Sequence, residues 1–239
     1  MTPTGTGWDG VPSDGGPFAF VADLSAPVLD DADHHHLSKA RRLRPGDPLV
    51  LGDGAGWWCP ARFSGQQPEL VGEPVRAPRP APPVSVAFAL VKGAKPELAV
   101  QKLTELGVDR MRPFLAVRSV VRWDAARSGQ AHTRWQRVAR QAAMQSRRAW
   151  QPRVDGIVSF AEVAADPGAC RADRGGGPPT LELPLILTGP EGGWDPAERE
   201  AGLPVVGLGE GVLRAETAAI AAGVVLTALR AGLVAGAGR

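Results

Sequence analysis

The sequence has few cysteines, almost no net charge and no long apolar segment. No apolar run reaches the roughly 18 residues that a membrane-spanning helix requires, so we expect no membrane span. The two cysteines, Cys59 and Cys170, lie far apart and lack the spacing of metal ligands, which favours a reducing, cytoplasmic environment. The N-terminus carries no basic region followed by an apolar core, so we expect no signal peptide.

The sequence has enough apolar residues for a hydrophobic core, and its arginines are concentrated in two segments. Hydrophobic residues make up 44% of the 239 residues, which is ordinary for a globular protein. The net charge is only +2, yet arginines cluster at residues 41–44 and again at residues 134–148. Basic patches on a nearly neutral chain indicate an anionic partner such as nucleic acid, although a solvated helix face would give the same pattern.

A proline-rich segment divides the chain. The sequence P-V-R-A-P-R-P-A-P-P at residues 74–83 has no hydrophobic period, and proline cannot donate a backbone N–H to a helix or a sheet. We therefore predict a stiff linker at residues 76–83, between an N-terminal domain of residues 1–75 and a C-terminal domain of residues 84–239. The N-terminal part has short apolar runs and an Asp53-Gly54 turn signal, which predict a small β-barrel containing a hairpin.

The C-terminal part alternates between strand and helix patterns, which predicts an α/β fold with a mostly parallel sheet. Apolar runs predict strands at residues 84–91, 110–117, 183–188 and 203–208. Helical periodicity predicts helices at residues 95–106, 131–148 and 216–230. Gly107 is expected to end the first helix in a left-handed conformation. Asp195 and Glu198 have the spacing of a capping box at the start of a further helix.

Two glycine-rich turns follow the last two predicted strands, at residues 188–193 and 207–211. Ligands of open α/β sheets bind beyond the carboxyl ends of the strands, where glycines let backbone amides approach closely, so both turns would line one crevice. A Rossmann-type site needs a further strand and a ribose-binding carboxylate after its glycine turn, and we do not expect them in the 28 residues after Gly211. A P-loop is not expected either, since neither turn carries Gly-Lys-Ser/Thr.

Several motifs, taken together and in order, resemble those of one known family. They are H-H-L-S-K-A-R-R-L-R-P-G-D, K-G-A-K-P-E-L-A-V-Q-K-L-T-E-L-G-V, R-Q-A-A-M-Q-S-R-R-A-W-Q-P, G-P-E-G-G-W-D-P-A-E and L-G-E-G-V-L-R-A-E-T-A. The chain resembles the RsmE-type enzymes, the 16S ribosomal RNA uracil-N3 methyltransferases of the SPOUT superfamily. The resemblance covers most of the chain, and several ordered motifs are more specific than any single one.

The resemblance implies a fold, a cofactor and partners. The expected fold is a SPOUT-type α/β knot, a C-terminal trefoil knot, with an N-terminal PUA-like β-barrel that binds RNA. The expected cofactor is S-adenosylmethionine, and the expected partners are 16S ribosomal RNA or the small ribosomal subunit and a second copy of the chain. The residues implied to cradle the cofactor are Thr188, Gly189, Gly192, Gly193, Leu208, Gly209, Val212 and Leu213.

Candidate catalytic residues follow from the chemistry of uracil. N3 carries a proton and is a poor nucleophile until the proton leaves, so the site must stabilise an anion or supply a base. Arg214 could donate to the carbonyl oxygens of uracil, and Glu216 or Glu191 could accept the proton, although Glu216 would equally suit a helix cap. Candidate RNA contacts are Arg41, Arg42, Arg44, Arg118, Arg122, Arg140 and Arg147, within wider arginine clusters that could follow a phosphate track.

The sequence departs from the family pattern at several points. Gly211 replaces a usual arginine, Met144 replaces a usual glutamate, and Ala40-Arg41 replaces Val-Leu. Residues 166–179 are expected to lack a strand that the family has there. Two other interpretations stay open. One is a methyltransferase of the same superfamily that acts on another RNA such as transfer RNA, and the other is a non-catalytic RNA-binding or ribosome-assembly paralogue.

Two further patterns have weaker functional interpretations. His34, His35 and His36 follow two aspartates and suggest zinc, but consecutive side chains point in different directions, so we expect no metal. Trp57 and Trp58 could stack on RNA bases. Because adjacent strand residues face opposite sides of a sheet, we expect one of the two indoles to lie in the core.

Overall fold

The structure is a computed structural model that describes residues 15–93, 95–121 and 123–235. It contains two compact units, and the first division falls between Arg79 and Pro80, inside the proline-rich segment. The first unit also takes Ala143–Gln151 from later in the chain. This differs from the predicted assignment of every residue after 83 to one domain.

The returning segment is held by close packing within the first unit. A Cβ atom at Gly56 would lie 2.4 Å from the indole of Trp150, so the glycine and the ring are in direct contact. The indole nitrogen of Trp150 donates to the carbonyl of Ala77 at 3.2 Å, and the amide of Gly56 donates to Ala149 at 3.1 Å. These contacts join parts of the chain that are remote in sequence, which explains why no local pattern indicates them.

The first unit is built on a five-stranded sheet. Its elements are β1 (Phe18–Phe20), α1 (Asp31–His35), a π-helical turn (His36–Ala40), β2 (Pro48–Gly52), β3 (Trp57–Arg62), β4 (Glu69–Leu70) and β5 (Val75–Arg76). β1 and β2 pair in parallel, and β3 pairs antiparallel with β2, β4 and β5. The predicted linker therefore begins inside a strand, because Arg76 pairs with Trp57.

The predicted hairpin is confirmed. β2 and β3 are antiparallel neighbours joined by the turn at Asp53 and Gly54, and Gly54 has a φ of 74°. One carboxylate oxygen of Asp53 accepts from the amides of Ala55 and Trp57, at 2.7 and 3.0 Å. The turn thus uses both properties that the dipeptide predicts, a side-chain acceptor and a tolerated positive φ.

The second unit is a seven-stranded parallel sheet with helices, as the alternation of the sequence predicts. Its strands are β6 (Ser85–Ala89), β7 (Arg110–Leu115), β8 (Arg153–Val154), β9 (Val158–Ser159), β10 (Ala169–Gly177), β11 (Leu185–Thr188) and β12 (Val205–Val206). Its helices are α2 (Lys95–Leu106), α3 (Ala125–Gln145, to Ala142 in this unit), α4 (Phe160–Ala164), α5 (Pro196–Arg199) and α6 (Ala215–Arg230).

The order of strands in this sheet is β12, β10, β11, β6, β7, β8, with β9 also paired to β7. Its core consists of fully buried strand and helix residues, among them Val86, Leu103, Met111, Ile186 and Leu226. The carboxyl ends of β10, β11 and β12 lie together because these strands are parallel neighbours. This arrangement brings the two glycine-rich turns to one edge of the sheet.

The expectation that residues 166–179 lack a strand is wrong. β10 runs from Ala169 to Gly177 and pairs in parallel with β11 on one side and β12 on the other. Pairing on both sides outweighs the low strand propensity of its glycines. Gly176 is required there, since a Cβ atom would lie 2.3 Å from the backbone carbonyl carbon of Val206.

Helix boundaries agree with the sequence where capping signals are strong. α2 has the predicted bounds, and Gly107 ends it with a φ of 98°. Asp195 and Glu198 form the predicted capping box, although α5 has only four residues. α3 starts six residues before the predicted start at residue 131. The carboxylate of Asp124 accepts from the amide of Arg127 at 2.7 Å and caps this earlier start.

Candidate active site

A cleft of about 210 Å³ lies beyond the carboxyl ends of β11 and β12 and beside the middle of β10. Both glycine-rich loops line it. The residues predicted to cradle a cofactor that line this cleft are Thr188, Gly189, Gly193, Leu208, Gly209, Val212 and Leu213. Gly192 belongs to the same loop but does not line the cleft, and its carbonyl instead accepts from Arg118 at 3.2 Å. The structure therefore brings together nearly all of the predicted set.

The loop after β11 is shaped by the indole of Trp194. A Cβ atom at Gly189 would lie 2.9 Å from this ring, so the backbone of the loop rests directly on it. The ring is buried, stacks on Phe114 with centroids 6.2 Å apart, and donates from its indole nitrogen to Ala172 at 2.9 Å. Because the ring is fixed on several sides, it is a rigid floor for the loop.

The loop after β12 exposes backbone and apolar side chains. Gly209 has a φ of 137°, a conformation that L side chains rarely adopt. Gly207 donates its amide to the carbonyl of Gly177 at 2.8 Å, which ties the loop to the end of β10. Leu208 packs partly against the core, whereas Val212 is 79% exposed. The cleft thus offers main-chain polar groups beside an apolar wall.

Four charged side chains form a network where the two loops meet the first turns of α2 and α6. The ammonium of Lys95 is hydrogen-bonded to the carboxylate of Glu191 and lies 3.7 Å from Oε2 of Glu216. Arg214 is the N-cap residue of α6, makes no side-chain capping bond and is exposed. Its positive charge acts on both Lys95 and Glu191. We call Lys95, Glu191, Arg214 and Glu216 the rim network.

The rim network shifts two pKa values in opposite directions. The hydrogen bond from Lys95 is the main reason that the pKa of Glu191 is lowered from its ordinary value, and Arg214 lowers it further. The same hydrogen bond raises the pKa of Lys95, although burial and, to a smaller extent, the charge of Arg214 oppose this effect. Glu191 is therefore held as a carboxylate and is a weaker proton acceptor than an isolated glutamate. Of the two acids predicted as bases, Glu191 lines the cleft but is hydrogen-bonded to Lys95, whereas Glu216 is not among the described lining residues.

A second charged group in the cleft was not predicted. Arg171 and Asp173, both on β10, form an ion pair, and Arg199 reaches the same carboxylate at 2.8 Å. Burial raises the pKa of Asp173, but the hydrogen bond from Arg171 and the charge of Arg199 outweigh it and lower the pKa below its ordinary value. The side chain of Arg171 is buried and lies over the indole of Trp194, 5.7 Å from its centroid. Asp173 and Arg199 both line the cleft.

Asp173 and Lys95 were not predicted as site residues, for different reasons. Asp173 lies in the strand that the sequence was expected to lack, so no argument placed it beside the cleft. Lys95 lies inside a motif that carries the family resemblance, but its partners Glu191 and Glu216 are remote in sequence. A lysine at the first position of a helix that follows a central strand was the available signal, because such positions face the ligand edge of the sheet.

The predicted RNA-contacting arginines of the second unit have varied surroundings. Arg118 is half-exposed, and besides its bond to Gly192 its Nε lies 3.6 Å from Asp195. It therefore borders the loop after β11. Arg140 is partly buried on α3. Arg122 lies outside the described residues.

The arginines of the first unit are placed at two sites. Arg41, Arg42 and Arg44 are exposed around the turn that precedes β2, and Arg42 has a positive φ of 57°. Arg147 has a φ of 55° and donates to the carbonyl of Gly16 at 2.5 Å. Arg147 therefore has a structural contact, and its contact with RNA stays a prediction.

Aromatic rings from the histidine and tryptophan motifs pack within the first unit. The ring of His34 stacks on Phe63, with centroids 5.9 Å apart. In the described part of the chain, no three histidine, cysteine, aspartate or glutamate side chains come together as metal ligands would. Trp57 is partly exposed beneath the guanidinium of Arg76, while Trp58 packs against an apolar cluster, as the strand alternation predicts.

Among the described helices, none is long and apolar enough to cross a bilayer.

The chain is similar to known proteins along most of its length. A family model described as an RNA methyltransferase domain matches residues 78–227. The ribosomal RNA small subunit methyltransferase E of Mycobacterium bovis is 37% identical over 220 residues, which cover 82% of this chain and 83% of that protein. The protein of the same name from Bacillus subtilis is 32% identical over 211 residues, which cover 77% of this chain and 82% of that protein.

The fold of the chain is also similar to that of a solved methyltransferase structure. The crystal structure of a ribosomal RNA small subunit methyltransferase E from Neisseria gonorrhoeae, bound to S-adenosyl methionine, is similar with a TM-score of 0.76 and 27% identity. The match covers 89% of this chain and 97% of that one. Since the family model spans more than half of the sequence and the sequence relatives match along most of its length, the chain belongs to the RNA methyltransferase family that includes the ribosomal RNA small subunit methyltransferase E enzymes.

Proposed function

We propose that this chain transfers a methyl group from S-adenosylmethionine to N3 of a uridine in 16S ribosomal RNA, in the cytoplasm. The single observation that carries the proposal is the cleft formed by the two glycine-rich loops in a chain of this family. The similar enzyme from Neisseria gonorrhoeae was crystallised with S-adenosyl methionine. The uridine N3 specificity rests on the resemblance of the sequence motifs to the RsmE-type enzymes.

We propose in addition that the second unit is a SPOUT-type trefoil knot and the first a PUA-like barrel. The parallel order β12, β10, β11 and the two loops at its carboxyl edge support the knot. The antiparallel pairings of β3 with its three neighbours support the barrel. Both assignments agree with the motif resemblance.

The lining of the cleft fits the chemistry of S-adenosylmethionine. The apolar side chains of Leu208, Val212 and Leu213 suit the adenine ring, and the backbone groups around Gly189 and Gly209 suit its polar edge. The carboxylates of Asp173 and Glu191 also line the cleft and suit a cofactor that carries positive charge on sulfur and nitrogen. When bound, the cofactor supplies a methyl group on a positively charged sulfur.

The residues of the rim network would prepare the uracil. Loss of the N3 proton leaves a negative charge spread over N3 and two carbonyl oxygens. The exposed guanidinium of Arg214 can donate to those oxygens and stabilise the charge. Glu216 would accept the proton, directly or through water, while Lys95 holds Glu191 ionised.

We also propose that the chain acts as a homodimer, with RNA bound by both subunits. Exposed apolar side chains near the C-terminus support an interface, among them Val224 and Leu233. Arg41, Arg42, Arg44, Arg118, Arg140 and Arg147 remain the proposed RNA contacts. Light scattering of the purified chain should give twice the monomer mass of 25.0 kDa.

The decisive experiment is methylation of defined RNA. Purified protein and S-adenosylmethionine would be incubated with small ribosomal subunits from a strain that lacks the endogenous activity, and with transfer RNA in parallel. Mass spectrometry of the nucleosides should detect 3-methyluridine in 16S ribosomal RNA only. Methylated transfer RNA, or another modified nucleoside, would contradict the proposal. Calorimetric titration with S-adenosylmethionine separates a non-catalytic paralogue from an enzyme given the wrong RNA.

A further inference from the structure

The second unit has another cleft, of about 740 Å³, whose described lining includes Arg134 from the predicted arginine cluster but no predicted cofactor-binding or catalytic residue. Its walls come from the loop after β6, the start of α2, the loop after β7 and the first half of α3. We call it the basic cleft. Its described lining residues are Lys92, Gly93, Glu97, Val120, Val121, Trp123, Arg127, Gln130, Ala131 and Arg134.

The basic cleft carries an excess of positive charge. Lys92, Arg127 and Arg134 line it, against the single carboxylate of Glu97. Glu97 is paired with Arg134, whose Nε lies 3.2 Å from Oε1, yet the arginine side chain remains 67% exposed. Cations concentrated in a concave surface attract an anionic chain more strongly than the same charges on a flat one.

The basic cleft also has an aromatic and apolar wall. Trp123 packs on the buried ring of Trp135, with centroids 6.1 Å apart, so its orientation is fixed from behind. The guanidinium of Arg127 lies over the Trp123 ring, 5.1 Å from the centroid. At the rim, Val120 is 66% exposed. A nucleic-acid base that stacks on this indole would replace the guanidinium of Arg127, which would then contact a phosphate.

The basic cleft adjoins the candidate active site through two shared segments. The first turn of α2 carries Lys95, which belongs to the rim network, and Glu97, which lines the basic cleft. The loop after β7 carries Arg118, bonded to Gly192 of the cofactor loop, followed by Val120 and Val121 of the basic cleft. Both clefts therefore open along the carboxyl edge of the same sheet.

We propose that the basic cleft binds single-stranded RNA next to the methylated uridine, with one base on Trp123 and phosphates on Lys92, Arg127 and Arg134. The assignment rests on the proposed RNA methyltransferase function and adds a substrate subsite to it. Its chemistry combines stacking, which tolerates any base, with phosphate contacts that hold the strand in register. A protein that binds the basic cleft would need acidic side chains, and competition by an acidic peptide distinguishes such a protein from RNA.

The test measures binding of a fluorescein-labelled oligouridylate of about 12 nucleotides to the full chain by anisotropy. Lys92→Glu and Arg127→Glu reverse charges that line the cleft. Lys102→Glu is the matched control, because Lys102 lies on α2, pairs only locally with Glu105 and does not line either cleft. Each cleft variant should weaken binding at least about tenfold and reduce the salt slope of log K by about 0.7 or more, whereas the control should change neither.

Stacking is tested separately. Trp123→Ala should weaken oligouridylate binding by about fivefold to 150-fold, and Trp123→Phe should restore most of it. Calorimetry with S-adenosylmethionine accompanies every variant. Because the cofactor cleft is untouched, cofactor affinity should stay at the wild-type value, which also shows that the variant is folded.

The outcomes separate this proposal from the proposed function. Wild-type oligouridylate affinity in both charge-reversal variants, or no measurable binding to the wild-type chain, overturns the basic cleft as an RNA site. An acidic peptide such as oligoglutamate that competes better than oligouridylate overturns it as well. Failure of the wild-type chain to bind S-adenosylmethionine overturns the proposed function instead, whatever the oligonucleotide does.

Discussion

The ammonium nitrogen of Lys95 lies 3.7 Å from Oε2 of Glu216, a buried oxygen that accepts no hydrogen bond from any described residue. The same ammonium is hydrogen-bonded to Glu191. One lysine therefore links the loop after β11 to the first turn of α6. The position of this lysine therefore relates the two acids to each other.

Loss of the Lys95 charge should impair catalysis more than cofactor binding. We expect Lys95→Met to reduce kcat by about 10- to 100-fold, because the loop and Glu216 lose their common anchor and small misplacements are costly. Lys95→Arg should restore much of kcat, since it returns the charge. Steady-state kinetics with small subunits and calorimetry with S-adenosylmethionine measure the two effects. Equal kcat for the methionine variant and the wild type would refute a positioning role.

The rim network should also give stability a defined pH dependence. The pKa of Glu191 is lowered from 4.5 and that of Lys95 is raised from 10.5, each mainly by their mutual hydrogen bond. The bond therefore stabilises the fold fully between those ordinary values. Its contribution is lost as pH falls through the lowered pKa of Glu191 or rises through the raised pKa of Lys95.

Urea unfolding of the wild type and Lys95→Met measures this dependence. The difference in unfolding free energy should be small, because both side chains are partly exposed, and larger near pH 7 than near pH 3. Lys102→Met, which removes a partly exposed pair on the same helix, is the control for a general loss of surface charge. A Lys95→Met difference that does not change with pH would argue against the pair as its source.

Arg214 should act on the reaction and not on cofactor affinity. Its side chain is exposed and makes no capping bond, so we expect Arg214→Ala to fold normally and bind S-adenosylmethionine as the wild type does. Its kcat should fall about 100-fold, since a donor to the developing negative charge is removed. Arg214→Lys, which keeps the charge but not the paired donors, should lie between the two. Undiminished turnover in the alanine variant would remove Arg214 from the mechanism.

A methyl group at Gly189 should damage the cofactor loop. It would lie 2.9 Å from the ring of Trp194, which is buried against Phe114 and has little freedom to move. We expect Gly189→Ala to cost about 1–3 kcal/mol of unfolding free energy and to weaken S-adenosylmethionine binding. Gly129→Ala on α3 is the contrasting control. Nothing lies within 4 Å of its Cβ, so it should raise stability by about 0.5–1 kcal/mol.

Both thiols should be inert in the folded protein. Burial raises the pKa of Cys170 to about 12, and burial is also the main reason that the pKa of Cys59 is raised. Thiolate is the reactive form, so we expect no reaction with a disulfide reagent at pH 8 before unfolding and two reactive thiols in denaturant. A thiol that reacts rapidly in the native protein would show that one of these sites opens.

The sequence predicted those features that local chemistry determines. α2 was placed with its bounds because Gly107 gives a left-handed end, and the capping box at Asp195 and Glu198 was predicted from spacing alone. The early start of α3 had a signal, the N-cap Asp124, that the helical periodicity obscured. The proximity of the two glycine-rich loops was predicted because alternating strands and helices indicate a parallel sheet, whose strands have their carboxyl ends at one edge.

Features that depend on distant pairing were not predictable. β10 contains three consecutive glycines, which disfavour a strand until β11 and β12 pair with both of its edges. The anchoring of Glu191 and Glu216 by Lys95 joins three parts of the chain that no pattern relates. The return of Ala143–Gln151 to the first unit depends on the fit of Trp150 against Gly56.

Two positions near the cleft differ in how much change they tolerate: Gly176, two residues after the cleft-lining Arg174, and Val212, which lines the cleft. At Gly176 the backbones of β10 and β12 approach so closely that any side chain would displace the strand. Val212, in contrast, lines the cleft and is 79% exposed. Directed evolution toward bulkier sulfonium donors should therefore randomise the surroundings of Val212 and leave the glycine tract unchanged.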